Sequence, residues 1–310
     1  MFDAWFGERS PRRANLPEAL WAALLATAVL AQKGTCVILV QQLGLWLYLP
    51  AMNNSQHPSK LQKPPLQEVV FEARWKPDVS KQSRPSYDTG FELAQGRLSE
   101  RLERHGFHFH RRIVPDQVPT SFLTDQIVHQ FWHAQDEFPL VQFGPCIITV
   151  NEDGKGYEWE RSFCPLIRQT LDQLMESYKN TPTLAEVKLL YIDAIDLPDA
   201  ADFLHHLQKL RVNLQFGIHD QQELADVKVD FGYQLDHDST LRCSIQSATN
   251  NRTGNPALMW HTAVHRNQCE SWEGTPHVVD SVMEWCQYAH ATASNLFKNM
   301  TQGELYESFL

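Results

Sequence analysis

The sequence predicts an α+β protein of two sheet-and-helix units. The first has β-α-β-β-α-β (ferredoxin-like) order over about residues 60–198, and the second α-β-β-β-α order over 199–310. Three observations carry this expectation. Glu68–Lys76 alternates apolar and polar residues with period two, as a half-buried strand does. Apolar residues recur at helical spacing along Phe91–Leu102, Phe163–Met175 and Val279–Met300. Leu184–Leu197 is a nearly continuous apolar run, the pattern of a strand covered on both faces.

The bulk composition fits a globular chain. Of 310 residues, 43% are hydrophobic and 21% charged, and 16 Phe, 9 Trp and 8 Tyr supply core volume. A formal net charge of −10 argues against broad phosphate-backbone binding, so double-stranded nucleic acid is not an expected partner. The 6 cysteines form no C-x-x-C pair and most lie in apolar runs, which reads as reduced core thiols in a cytoplasmic protein.

Residues 1–59 read as an extension outside the fold. Two apolar stretches, Leu16–Ala31 and Cys36–Leu49, are separated by Gln32, Lys33 and Gly34. Neither reaches the ~20 clean apolar residues of a membrane span. Three readings stay open: translation from Met52, a membrane or surface anchor over residues 16–49, and a secretory leader after Arg12 and Arg13. A membrane is a partner only under the second.

Pro64 and Pro65 end this region, and the alternating strand begins at Glu68. Val69, Phe71, Ala73 and Trp75 share its apolar face, with Glu68, Glu72 and Arg74 opposite. Thr89-x-x-Glu92 reads as a capping box opening a helix that Gly106 closes. Strands are expected at Ile127–Ala134 and Leu140–Asn151, then a helix over Glu160–Tyr178 and a central strand over Leu184–Leu197. The second unit starts with a short helix capped by Asp199 and carrying Leu207 and Leu210 inward. Strands at Asp226–Leu235, Leu241–Ala248 and Ala257–Arg266 follow, then a long helix over Val278–Met300. Thr301-x-x-Glu304 reads as the cap of one more helical turn.

Several segments together resemble a sporadically distributed bacterial family of no established activity. They are Pro64–Phe71 (Pro-Pro-x-x-Glu-Val-Val-Phe), Phe131-Trp132, Val141-Gln142-Phe143, Asn151, Tyr157-Glu158-Trp159-Glu160, Leu190–Ile195, and the long helix and Phe-containing end, Val278–Phe309. The resemblance covers about residues 61–310. Leu190 stands where the family usually has a basic residue and Asp193 where it has Asn, so a polar ligand of relatives would be met differently here. The family brings no catalytic residues. Its sporadic distribution implies an accessory or defence-type module.

The candidate ligand-binding residues are Glu68, Arg74, Tyr157, Tyr191 and Asp193. Glu68 and Arg74 belong to a charged strand face that is either a solvated surface or one wall of a groove. Asp193 follows Tyr191 on an apolar strand, so its carboxyl needs partners or a proton. Tyr157 opens the helix-start segment, where Trp159 packs on the sheet rather than on a ligand. His108 and His110, two apart on an extended segment, are the candidate metal ligands, with Arg111 and Arg112 beside them to repel a cation. His261 and His265 share a strand face and His205 and His206 a helix; all four read as satisfied or exposed histidines.

G-x-x-x-x-G-K-[ST], G-x-G-x-x-G after a strand, G-x-S-x-G and H-E-x-x-H are all missing. The expected function is therefore a non-catalytic recognition or regulatory component of the bacterial cytoplasm. It would need no cofactor, and would work with a co-encoded protein, a second copy of itself or a small ligand. The rival is an enzyme, either a metal-assisted hydrolase using His108 and His110 or an acid–base catalyst using Asp193. RNA binding on the sheet ranks last, because most strand aromatics fall on the apolar face.

Overall fold

The structure, a computed structural model, describes residues 37–39, 46–48, 61–77, 87–197, 207–212, 228–236, 238–269, 272 and 277–310. Two short strands, β1 (Val37–Leu39) and β2 (Trp46–Tyr48), pair antiparallel within a unit of their own, Met1–Ser59. The other unit runs from Lys60 to Leu310. The Leu16–Ala31 stretch lies outside the described residues. No described helix is long and apolar enough to cross a membrane.

The alternating segment forms β3 (Leu66–Trp75), with Val69, Phe71, Ala73 and Trp75 buried as the period-two pattern requires. Eight further strands complete one sheet: β4 (Phe109–Arg112), β5 (His129–Trp132), β6 (Leu140–Gly144), β7 (Ile147–Asp153), β8 (Leu184–Asp196), β9 (Lys228–Gln234), β10 (Ser239–Thr249) and β11 (Pro256–Arg266). The spatial order is β4-β5-β6-β7-β3-β8-β11-β10-β9, and every neighbouring pair is antiparallel.

This overturns the expectation of two sheet-and-helix units with ferredoxin-like order in the first. β8 bonds β3 along one edge and β11 along the other, so strands assigned to separate units share one sheet. The physical reason lies in the 13 residues of β8. A strand that long and apolar takes backbone partners on both edges, here β3 and β11. The ferredoxin order also fails locally. Leu140–Asn151, read as one strand, is two, folded back at Pro145-Cys146, where Cys146 takes a left-handed φ of 65°. Gly144 permits this turn, since a Cβ there would stand 1.8 Å from the Gln126 carbonyl oxygen. β4 adds a strand that the pattern had not counted.

Three helices, α1 (Phe91–Arg104), α2 (Cys164–Ser177) and α3 (Val278–Thr301), pack on the Phe71 face of the sheet, and α4 (Glu304–Glu307) follows. Each buried core side chain of Leu or Phe size contributes roughly 1.5–3 kcal/mol. Phe91, Leu98 and Leu102 of α1 and Ile167, Leu171 and Leu174 of α2 join Phe71 and Phe143 in one cluster. A second cluster gathers Leu207, Leu210, Ile245, Leu258 and Trp260. The helix expected from Asp199 falls largely outside the described residues, which retain only its end at Leu207–Leu210.

Gly106 ends α1 as expected. It sits at φ 94°, its N–H donates to the Glu103 carbonyl, and the Phe107 N–H reaches back to Leu102, each at 3.0 Å. The start of α1 differs from the expected capping box. Gly90 holds the cap position, and the Asp88 carboxylate takes the Gly90 N–H at 3.1 Å. The other Asp88 oxygen accepts from Trp75 Nε1 (3.0 Å), the Tyr178 hydroxyl (2.6 Å) and the Cys146 N–H (3.2 Å). One carboxylate thereby ties β3, the β6–β7 turn, the end of α2 and the start of α1. Thr301 also departs from its expected capping role: it is the last residue of α3, its hydroxyl donates to the Phe297 carbonyl, and Gly303 at φ 102° precedes α4. A π-helical turn, Trp159–Phe163, leads into α2. The 5 described cysteines are buried thiols, as their apolar surroundings in the sequence predict.

Candidate functional site

The structure separates the candidate ligand residues onto opposite faces of the sheet. Tyr191 and Asp193 of β8 point toward the helices, and the segment before the π-helical turn delivers Tyr157 to the same place. Glu68 and Arg74 of β3 occupy the face that carries no described helix.

On the helix side, the Tyr191 hydroxyl lies 2.8 Å from His290 Nδ1 and 3.2 Å from the Tyr157 hydroxyl, which is itself 3.4 Å from the same nitrogen. With Nδ1 accepting, the two phenols form a relay onto the imidazole. Trp159 stacks on His290 with centroids 4.2 Å apart, and its indole N–H donates to Gln287 Oε1 at 2.9 Å. Burial, aided by the Lys298 charge, holds His290 down to about 4, so it is neutral near pH 7. Both tyrosines are pushed above the ordinary phenol range, chiefly by burial.

Asp193 is 5% exposed and stands opposite Trp260 across the β8–β11 ladder. Burial pushes its carboxyl up to about 7. Glu152, on β7 facing the helices, is driven to about 7 by the same cause, although the Asp153 N–H bonded to it pulls the other way. Burial also raises the neighbouring thiols of Cys164 and Cys286, which favours the unreactive protonated form. In this interior the Tyr157, Tyr191 and His290 polar atoms are spent on one another, while the Trp260 indole N–H and the Thr262 hydroxyl beside Asp193 and Tyr191 are buried without a described partner.

The opposite face carries a connected polar lattice. Thr149 Oγ1 lies 3.1 Å from the Gln142 amide and 2.7 Å from that of Asn151, and Asn151 Nδ2 donates to Glu68 at 2.6 Å. Beside them, Glu72 accepts from Arg74 Nε and Lys188 Nζ, each at 2.8 Å. Burial pushes the Glu72 carboxyl up, but the two cations outweigh it and keep the carboxyl below its ordinary value. Arg74 also reaches Asp125 at 3.3 Å, and His265 Nδ1 sits 3.4 Å from Glu186. Glu186 is lowered, first by its hydrogen bond with His265.

Where β8, β11, β10 and β9 lie side by side, this face opens into a groove of about 520 Å³. Its hollow follows from two missing side chains. Ala263 and Gly232 occupy one cross-strand row with Leu190 and Arg242, so the row is high at Leu190 and Arg242 and low between and beyond them. Lys188, His261 and His265 rise on either side.

Of the candidate metal pair, His110 lies with its Nε2 2.8 Å from His129 Nδ1, and His129 is depressed to about 4 by burial and by the charges of His110 and Arg112. Among the described residues no group of three or more metal-ligating side chains forms.

His261 and His265 were legible in sequence as a shared strand face. Lys188 and Arg242 were not, because single cations on alternating strands carry no signal until the register aligns them. Asp88 and His290 were missed for the same reason, their partners lying 90 and 99 residues away. Comparison with protein-family models, with curated proteins and with solved structures gave no match.

Proposed function

We propose that the protein is a non-catalytic recognition component of the cytoplasm that binds a partner protein or a small ligand on the sheet face that carries no described helix. One observation carries the reading: the described helices cover one face, while the other presents a fixed lattice of amides and ion pairs opening into a groove. A face whose charges are held in register is suited to recognition, because its side chains lose little freedom on binding. The groove has Arg242 exposed and without a described carboxylate in ion-pair range, so binding there costs no existing bridge.

The test is affinity isolation from the host with the parent chain and with an Arg242→Glu, His261→Glu variant. Retention of a stoichiometric protein or small molecule by the parent and its loss from the variant is expected. Nothing bound to the parent, or equal retention by both, removes the reading.

The second reading, acid–base catalysis by Asp193, draws on a carboxyl raised to about 7. Its geometry is unfavourable: Asp193 is enclosed between sheet and helix, away from the groove. If an activity is found and Asp193→Asn abolishes it while the face variant leaves it intact, this second reading replaces the first.

A further inference from the structure

We infer that the groove between β8 and β9 is a seat for a small organic anion, a carboxylate or phosphate head carried on an apolar body. The inference rests on the recognition reading above and names the ligand class of that surface.

Charge is the first argument. Two cations, Lys188 and Arg242, line the groove with the imidazoles of His261 and His265 against one lining acid, Asp230, in a chain whose formal net charge is −10. A basic hollow on an acidic protein concentrates anions locally and repels them elsewhere. These donors are not equally available. Lys188 is held by Glu72 and His265 by Glu186, while Asp230 is drawn toward Lys228 at 3.4 Å. Arg242 is left with its guanidinium exposed in the lining and able to hold a carboxylate or phosphate through two parallel N–H bonds. Burial and the Lys228 charge hold His261 below the ordinary imidazole value, and its ring offers an N–H beside the guanidinium.

Shape is the second argument. Leu190 and Ala263 give the groove an apolar floor between its cations. A volume of about 520 Å³ falls in the range of small-molecule sites, and an apolar floor beside a cationic rim matches a ligand with one charged end. A bare inorganic anion would leave that floor uncovered.

The experiment titrates the full chain with hexanoate, benzoate and inorganic phosphate, with benzylamine as the cationic control, reading the imidazole proton resonances of His261 and His265. Saturable shifts with hexanoate or benzoate at lower concentration than with phosphate, and none with benzylamine, are expected. Arg242→Glu should weaken binding about tenfold or more, the scale of one charge-assisted pair. Gly232→Leu should weaken it by occupying the hollow. A Cβ at Gly232 meets nothing nearer than 3.4 Å, so this variant tests the space rather than the fold. No saturable shift with any anion, or equal shifts in Arg242→Glu, overturns the inference. If the anions fail while host isolation still yields a species lost from the face variant, the anion seat falls and the recognition surface stands. If both fail, both fall.

Discussion

Asp193 is a carboxyl that the fold prefers uncharged. Its value rises from 3.8 in the open chain to about 7, so the folded protein holds a proton that the unfolded chain has released between those values. The stability it allows is fully present below pH 3.8 and is lost as pH climbs through 7, amounting to about 4 kcal/mol. Asp193→Asn keeps the shape without the charge. Urea midpoints of parent and variant should therefore diverge between pH 4 and pH 8, the variant becoming the more stable; parallel profiles would refute the burial argument. His290 works with opposite sign. Its value is lowered to about 4, so its contribution is present above pH 6.5 and fades as pH falls toward 4. Asp88 is a carboxylate of another kind, with four donors converging on it. Asp88→Ala strands the Trp75, Tyr178 and Cys146 donors and should cost about 3 kcal/mol or more in equilibrium unfolding. A loss under 1 kcal/mol would show that water replaces the carboxylate readily.

At the scale of elements, two glycines separate backbone strain from steric exclusion. Gly106 closes α1 at φ 94°, and a Cβ there would meet His133 at an ordinary 3.6 Å. Gly106→Ala should therefore cost only the left-handed penalty, about 1 kcal/mol. Gly144 is limited by space instead, with the Gln126 carbonyl oxygen 1.8 Å from any added Cβ. Gly144→Ala must open the β6–β7 turn and should destabilise several times more than Gly106→Ala, by the same thermal or urea measurement. Similar losses at the two sites would contradict this account. The β6–β7 turn was itself visible as a Gly-Pro dipeptide inside an apolar run, and the run concealed it.

The whole sheet is continuous through β8, which bonds β3 on one edge and β11 on the other. Hydrogen exchange should accordingly show the amides of β3, β8 and β11 protected to a similar degree, with no step near residue 198. Two separately exchanging halves on either side of 198 would restore the two-unit reading. The placement of the described helices on one face also divides the chemistry, leaving titratable groups that favour neutrality beneath them and paired charges on the opposite face.

How much was legible in the sequence follows from the range of each cause. Period-two alternation gave β3 and β9, helical spacing gave α1, α2 and α3, and Gly106 ended α1, because each signal involves residues within a few positions of one another. The capping boxes at Thr89 and Thr301 read wrongly, since Asp88 and Gly303 offered competing local geometry. Pairing is a different matter. Which strands become neighbours is set by backbone groups far apart in the chain, so a continuous sheet and two separate units look alike in pattern. The same holds for the candidate residues: Tyr157, Tyr191 and Asp193 were separable from Glu68 and Arg74 only once register assigned each to a face. Composition and periodicity determined most of the strands and helices and the apolar faces they bury, though not β4 or the fold-back between β6 and β7. Long-range hydrogen bonding alone decided the single sheet, its face without described helices and the groove, because side chains converge there only after the strands have aligned.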